Sequence, residues 1–338
     1  DLDFEVEYVP GETTGGIIRA TMPDRPVRPR QLILAHMDTV WDLGTLARMP
    51  AETDGTVFRG PGSFDMKGGI AMALCALRAL GEEGVELEVA PVFMITSDEE
   101  IGSGESESLI IEEAKAVERV FVVEPALDPE GLIKTRRKGV GDFCLEVRGV
   151  SAHGGLAPQD GASAVLELAR IIERLDALQD PDRGITINVG VIRGGVRANV
   201  VPDYARAEVD VRVWSTADAE KVEAAIRGLE PTVARTRIEV GGGFDREPLE
   251  KTPGNDRLWE MARHIGAEIG VELREGSAGG ASDGNITSRY APTLDGIGAV
   301  GDGAHADHEH LDIDRSIERA AILAGMLSLP GEPQTHEG

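Results

Sequence analysis

Apolar residues along this chain occur in two textures. In the first, short unbroken runs at 32–35, 89–96 and 120–123 are rich in strand formers and end abruptly in polar residues. Each is too short for an ordinary helix, so all three read as buried strands of a mostly parallel sheet. In the second, 140–148 alternates between apolar and polar positions, which predicts a strand with one buried face. Around the first texture, 5–9 and 16–20 read as two strands joined by a Gly-Glu-Thr-Thr-Gly turn, and the Pro/Arg-rich stretch 23–30 reads as a loop. Residues 39–59 show no periodicity and read as a mobile segment. An Ala/Leu-rich helix is predicted over 70–80 with its stop at Gly81, and a shorter one over 108–117.

The second texture continues with an amphipathic helix over 162–178, strands over 185–192 and 205–213, a helix over 217–229 and a strand over 236–240. Strand, helix, strand, strand, helix, strand is the order of a split βαβ unit, an antiparallel sheet with two helices on one face. From about Glu247 the first texture resumes. It brings a helix over 255–270, a Gly-rich loop over 276–285, short strands near 293–300, a His-rich loop over 301–310 and a closing helix over 315–329. The expected architecture is therefore α/β: a mixed, mostly parallel sheet flanked by helices, built from 1–137 and 247–338. Into it is inserted a lid-like α+β domain of ferredoxin-like type over 138–246.

Length agrees with two domains, since 338 residues exceed what one hydrophobic core usually serves. A formal charge of −26 argues against nucleic acid and anionic membranes as partners, because both require clustered Lys and Arg. Cys75 and Cys144 lie in apolar periodic segments and read as buried free thiols, with nothing requiring an oxidising compartment. No apolar span approaches the length of about 18 residues that a membrane helix needs, and no signal-peptide pattern is present. The expected location is the cytoplasm, with periplasm or secretion left open because the sequence begins at Asp1 rather than methionine.

The candidate chemistry sits where the apolar runs end. The first run meets His36-Met37-Asp38, the second Ser97-Asp98-Glu99-Glu100, and the third Glu124-Pro125. Open α/β sheets bind their ligands at such carboxyl ends. A glycine-rich turn contributes Asp65, and the His-rich loop offers His305, His308 and His310. One adjacent pair such as Glu99 and Glu100 is ordinarily a solvated acidic turn. Three runs ending in potential ligands make a convergent site, in which a cation takes one carboxylate and a proton the other. Imidazole and carboxylate donors suit zinc, and paired catalytic zincs lie roughly 3.5–4 Å apart. Outside this set, His153 by itself reads as structural, and Arg246 by itself as a hinge salt-bridge residue. Arg212 reads as a sheet-face charge. Gly279 opens a loop where backbone can approach a ligand closely.

The segments H-M-D-T-V, G-P-G-S-F-D-M-K-G-G, T-S-D-E-E-I-G-S, V-E-P and G-D-G-A-H-A-D-H-E-H, in this order, closely resemble those of the di-zinc metallopeptidases. That family includes bacterial glutamate carboxypeptidase, aminoacylase and succinyl-diaminopimelate desuccinylase. The resemblance spans residues 16–329 and is strongest to the glutamate carboxypeptidase branch. It implies two Zn2+ ions, replaceable by Co2+ or Mn2+. His36 and Glu124 would hold one, Glu100 and His305 the other, and Asp65 would bridge them. His305 is chosen over His308 and His310 because the family's last His is followed four residues later by Glu, here Glu309. Asp38 would orient His36, and Glu99 would be the general base. His153 would act from the lid, reaching a partner subunit's site in a homodimer, while Asn199, Arg246 and Gly279 would contact substrate. The implied reaction is hydrolysis of an amide bond beside a free carboxylate, releasing a C-terminal amino acid. N-acyl-amino-acid deacylation and a catalytically silent binding relative are the alternatives. Family members usually carry one or two helices ahead of the first strand pair, and the sequence as given starts after them, so either that segment is not included or this is a shortened variant.

Overall fold

Leu32, Ile33 and Leu34 are fully buried in the strand Arg30–His36, and alternation of side chains along that strand explains why the apolar run has no polar breaks. Ile33 joins Phe93 and Phe121 in a core on one face of the sheet, while Leu32 and Leu34 join Val92, Met94, Val120 and Val122 on the other. A strand covered on both sides needs apolar residues at every position. The computed structural model describes residues 4–22, 29–127 and 129–331, so most of the expected 23–30 loop lies outside the described residues. The chain divides into two compact units, Asp1–Arg136 with Leu249–Ala278 and Ser282–Gly338, and Arg137–Pro248 with Gly279–Ala281.

The first unit holds an eight-stranded sheet in the order Glu5–Val9, Ile17–Thr21, Ala90–Thr96, Arg30–His36, Arg119–Val122, Thr293–Asp295, Ile133–Arg137, Glu275–Ala278. Arg30–His36 pairs in parallel with both of its neighbours, and Thr293–Asp295 pairs in parallel with Arg119–Val122. The Glu5–Val9 and Ile17–Thr21 hairpin adds antiparallel strands at one edge. Helices Gly68–Glu82, Pro253–Glu268 and Ile313–Leu327 cover one face, and Glu107–Lys115 with Asp283–Thr287 the other.

Several expectations are corrected. The first helix runs through Gly81 to Glu82 and stops at Gly84, whose φ of 66° supplies the left-handed turn. Gly84 N–H donates to Gly81 O and Val85 N–H to Leu80 O, a Schellman closure. Cys75 is exposed, because that helix buries Met72, Ala73, Ala76, Leu77 and Leu80 and turns position 75 outward. Cys144 is half-buried, on the strand face opposite Phe143 and Leu145. The segment 39–59 is built rather than loose: it has a 3-10 turn at Thr45–Ala47 and a hairpin of Glu52–Thr53 with Val57–Arg59. Val57–Arg59 then pairs with His310–Asp312, which pairs with Gly301–Asp302, so a second small sheet brackets the His-rich loop. The expected loop over 276–285 carries the strand Glu275–Ala278 and the helix Asp283–Thr287, capped by Ser282.

The second unit is a four-stranded antiparallel sheet in the order Thr186–Gly194, Tyr204–Val213, Gly139–Arg148, Arg237–Arg246. Helices Ala164–Asp176 and Thr216–Arg227 cover one face, each started by a serine, Ser163 or Ser215, that accepts a backbone N–H. The last strand reaches Arg246, well past the expected 240, with a register shift between Phe244 and Arg246. Among the described residues no helix is long and apolar enough to cross a membrane.

Candidate metal centre

Parallel strands deliver the site. His36 ends the strand Arg30–His36, Glu99 and Glu100 follow Ala90–Thr96 in a short 3-10 turn, and Glu124 lies two residues past Arg119–Val122. Because these strands share direction and register, their carboxyl ends coincide at one edge. Asp65 arrives from the turn that opens the helix Gly68–Glu82, where the Asp65–Met66 peptide is cis. His305 arrives from the loop between Gly301–Asp302 and His310–Asp312 with a φ of 61°.

The six side chains meet. His36 Nε2 lies 3.3 Å from Asp65 Oδ1, 3.3 Å from Glu124 Oε1 and 4.0 Å from Glu99 Oε2. Its other nitrogen, Nδ1, lies 3.4 Å from Asp38 Oδ1 and 3.2 Å from the Asp38 carbonyl. His305 Nε2 lies 3.5 Å from Asp65 Oδ2 and 3.2 Å from Glu100 Oε2. Asp65 thus turns one oxygen to each imidazole. Asp38 Oδ2 accepts the Glu100 backbone N–H at 3.0 Å, tying the two strand ends together. Two groupings have ligand atoms close enough to hold a metal ion: His36 with Glu99 and Glu124, and His36 with Asp65 and Glu100. Of the three acids facing His36 Nε2, Glu99 stands farthest out.

The donor set fits cations. Asp38 Oδ1, Asp65 Oδ1 and Glu100 Oε1 are buried without a hydrogen-bond donor, and a buried carboxylate oxygen in that condition is costly unless a positive charge faces it. Burial alone would lower the His36 imidazolium, but Asp38, Asp65 and Glu124 hold it well above its ordinary range. The Asp65 carboxylate raises His305 likewise, against partial burial. Burial, reinforced by Asp65, pushes the Glu100 carboxyl up to about 7. Burial and Glu124 would raise Asp65, yet His305 and His36 keep it below the usual carboxylate range. The surrounding acids thus favour protons on both imidazoles, and metal ions taken up by these atoms would displace protons. His36 and Glu124 with Asp65 would hold one ion, and Glu100 and His305 with Asp65 the other. Of the remaining histidines in that loop, His308 is exposed and His310 sits in the strand His310–Asp312 with Nδ1 against His308 O.

Two buried acids that the sequence did not single out hold this edge together. Asp98 Oδ2 accepts the N–H groups of Glu105 and Ser106, folding the chain back after Glu99 and Glu100. Glu309, 1% exposed, accepts from Trp41, Gly62, Phe64 and Asp65. Its placement four residues after His305 was the one signal available for it.

The other expected site residues lie in the second unit. His153 is exposed on a two-residue strand paired with Val200–Val201. Its Nδ1 accepts the N–H groups of Gly155 and Leu156, both at 3.1 Å, which leaves the proton on Nε2. Asn199 is exposed, and its carbonyl accepts the Gly154 N–H. Arg246 closes the last strand opposite Val140 and is 7% exposed. Arg212 pairs with Asp210 and donates to the Gly279 carbonyl at 3.0 Å. A Cβ at Gly279 would meet nothing within 4 Å, so no protein atom demands glycine there.

Residues 32–328 match the sequence profile of peptidase family M20/M25/M40. Carboxypeptidase G2 of Pseudomonas sp. (strain RS-16) is 29% identical over 306 residues, 88% of this chain and 72% of the relative. Acetylornithine deacetylase of Myxococcus xanthus is 33% identical over 310 residues, 85% of this chain and 75% of the relative. Among solved structures, an aminopeptidase PepT from Bacillus cereus superposes with a TM-score of 0.79 at 22% identity, covering 97% of this chain and 89% of that one. An M20 family metallo-carboxypeptidase from Sulfolobus solfataricus superposes with a TM-score of 0.70 at 18% identity, covering 96% and 90%. With the profile matching residues 32–328 and candidate metal-ligating side chains brought close together, the chain belongs to peptidase family M20/M25/M40.

Proposed function

We infer that the protein is a di-zinc hydrolase of amide bonds adjacent to a free carboxylate, releasing a C-terminal amino acid with glutamate or aspartate preferred. The observation that carries the reading is Asp65, whose two oxygens face different imidazoles while Glu124 and Glu100 flank them. A metal pair held there supplies Lewis acidity toward the scissile carbonyl and acidifies water. Glu99, set back from the inner ligands, takes the proton of the attacking water and passes it to the leaving amine. Asp38 fixes the His36 ring through Nδ1. His153, with its Nε2 proton held outward by the Nδ1 contacts, suits the role of donor to the oxygen where negative charge develops. Arg246 reads the substrate carboxylate as a planar fork, with Asn199 and the Gly279 loop as further substrate contacts.

The carboxypeptidase relative supports release of a C-terminal residue, and the deacetylase relative supports an N-acyl-amino-acid deacylase as the second reading. Both cut the same kind of bond. Dialysis against a chelator should abolish hydrolysis, and zinc or cobalt should restore it. The deciding comparison is an N-acyl glutamate against its α-amide: equal rates would show that the carboxylate is not read. Arg246→Ala should lower rates on the free acid at least tenfold, from the loss of a charge-assisted contact worth about 1.5–3 kcal/mol.

The second unit also suits a homodimer. Its Thr186–Gly194 strand lies at the sheet edge with Val191 and Ile192 exposed, and the helix Ala164–Asp176 exposes Val165 and Leu166. An edge strand with apolar neighbours invites pairing, and a symmetric pair closes the assembly.

A further inference from the structure

We propose that Glu309 is the positioning residue of the metal centre, holding Asp65 in the orientation from which its two oxygens address His36 and His305. Glu309 is 1% exposed, yet it is no ligand: its carboxylate is already filled by four N–H donors. Oε2 accepts Trp41 Nε1 at 2.8 Å and Gly62 N at 2.7 Å, while Oε1 accepts Phe64 N at 2.9 Å and Asp65 N at 3.0 Å. Its own carbonyl accepts Gly60 N at 3.4 Å. One side chain thus gathers three segments: the loop after His36, the turn that carries Asp65, and the loop that carries His305. Arg48 reinforces the same junction by pairing with Asp307 at 2.7 Å.

The turn needs such a clamp. Gly60 and Gly62 take positive φ, and both Asp65 and Met66 depart from helical geometry. Bonds within the turn, from Ser63 N–H to Gly60 O and from Lys67 N–H to Gly62 O, shape its backbone, and the N–H groups of Gly62, Phe64 and Asp65 converge on one anion that fixes the orientation aiming Asp65 between two histidines. A buried carboxylate is stable only when so satisfied. The arrangement also requires a carboxylate rather than an amide. Each oxygen accepts two bonds, so a glutamine would turn an NH2 toward two N–H donors and leave both unpaired.

This inference rests on the reading of Asp65, His36, Glu100, Glu124 and His305 as metal ligands. The test uses full-length wild type, Glu309→Gln, Glu309→Asp and Asp65→Asn, with Co2+ and Zn2+ titrated by calorimetry and the Co2+ visible spectrum recorded. Wild type should bind two ions per chain, and Asp65→Asn should bind fewer or far more weakly. Glu309→Gln should lose about 10- to 100-fold in metal affinity, the scale for partners that orient ligands, with an altered Co2+ spectrum. Glu309→Asp, which keeps the charge, should recover part of both, and it serves as the test if the glutamine variant does not fold. Melting of the metal-free proteins separates the roles. If a folded Glu309 variant loses apo stability yet binds two ions with wild-type affinity and spectrum, Glu309 merely braces the fold and the proposal fails. If wild type itself takes up no metal, the ligand reading fails instead.

Discussion

Glu99 and Glu100 are neighbours in sequence and stand in different surroundings. Glu100 faces His305 at 3.2 Å, has a buried oxygen without a donor, and has its carboxyl pushed up to about 7 by burial and Asp65. Glu99 stands 4.0 Å from His36 Nε2, outside Asp65 and Glu124 at 3.3 Å each. Coordinating geometry alone admits Glu99 as a fourth contact of that ion, since its oxygen groups with His36 and Glu124. The two roles separate by experiment. As a proton carrier, Glu99→Gln should bind both ions with wild-type affinity while the rate falls about 10²–10⁴-fold, the usual contribution of a positioned acid–base group. Metal content falling in step with activity would make Glu99 a ligand and leave the base to be found elsewhere.

Elements explain why those residues meet, and they mark how far the sequence could be read. The three strand ends that carry candidate ligands were legible because each apolar run stops close to where its strand leaves the sheet: His36 closes one strand, and Glu124 lies two residues beyond another. Asp65 and the His-rich loop were legible as candidates from their residue types alone, but the choice of His305 and the bridging role of Asp65 came only through resemblance, because a turn and a loop carry no periodicity. The 39–59 segment was misread for a related reason: Val57–Arg59 finds its partner at His310–Asp312, with Arg59 opposite His310, 251 residues further along the chain. Gly81 was misread as a helix stop because glycine alone does not show whether the chain turns left-handed there; Gly84 does. The same helix supplies a prediction from two of its glycines. A Cβ at Gly69 would sit 1.9 Å from Val123 O, on the backbone that leads into Glu124, whereas a Cβ at Gly81 would meet nothing within 4 Å. Gly69→Ala should destabilise by about 1–3 kcal/mol, the range for overpacking a tight contact. Gly81→Ala should be neutral or stabilise by up to about 1 kcal/mol. Urea denaturation of the two variants checks the opposite signs, and equal effects would mean that helix propensity, not packing against Val123, sets both.

At the scale of the whole molecule, composition and patterning place the metal site and the expected dimer surface on different units. The acidic surface behind the −26 charge makes copies repel, and the repulsion is screened by salt. Association must then come from apolar contact: Val191 and Ile192 on the edge strand, with Val165 and Leu166 on the helix, are exposed in the second unit. A dimer formed there should tighten as ionic strength rises, the reverse of an association driven by opposite charges. Sedimentation across a salt series would show the sign, and an Ile192→Asp chain should remain monomeric. Function across such a dimer is the sharper expectation. His153 lies on the same unit as that surface, exposed, with its Nδ1 occupied by Gly155 and Leu156 N–H and its Nε2 proton available to a substrate oxygen. If it serves the partner's site, a His153→Ala chain lacks the donor while keeping Glu99, and a Glu99→Ala chain keeps the donor while lacking the base. Each homodimer should be nearly inactive. A mixed dimer pairs the intact His153 of one chain with the intact Glu99 of the other, so one of its two sites is complete. Equimolar mixing with free exchange makes half the dimers mixed, so activity should recover to roughly a quarter of wild type. Exchange confirmed by mass-tagged chains without any recovery would assign His153 to its own chain or to no catalytic part.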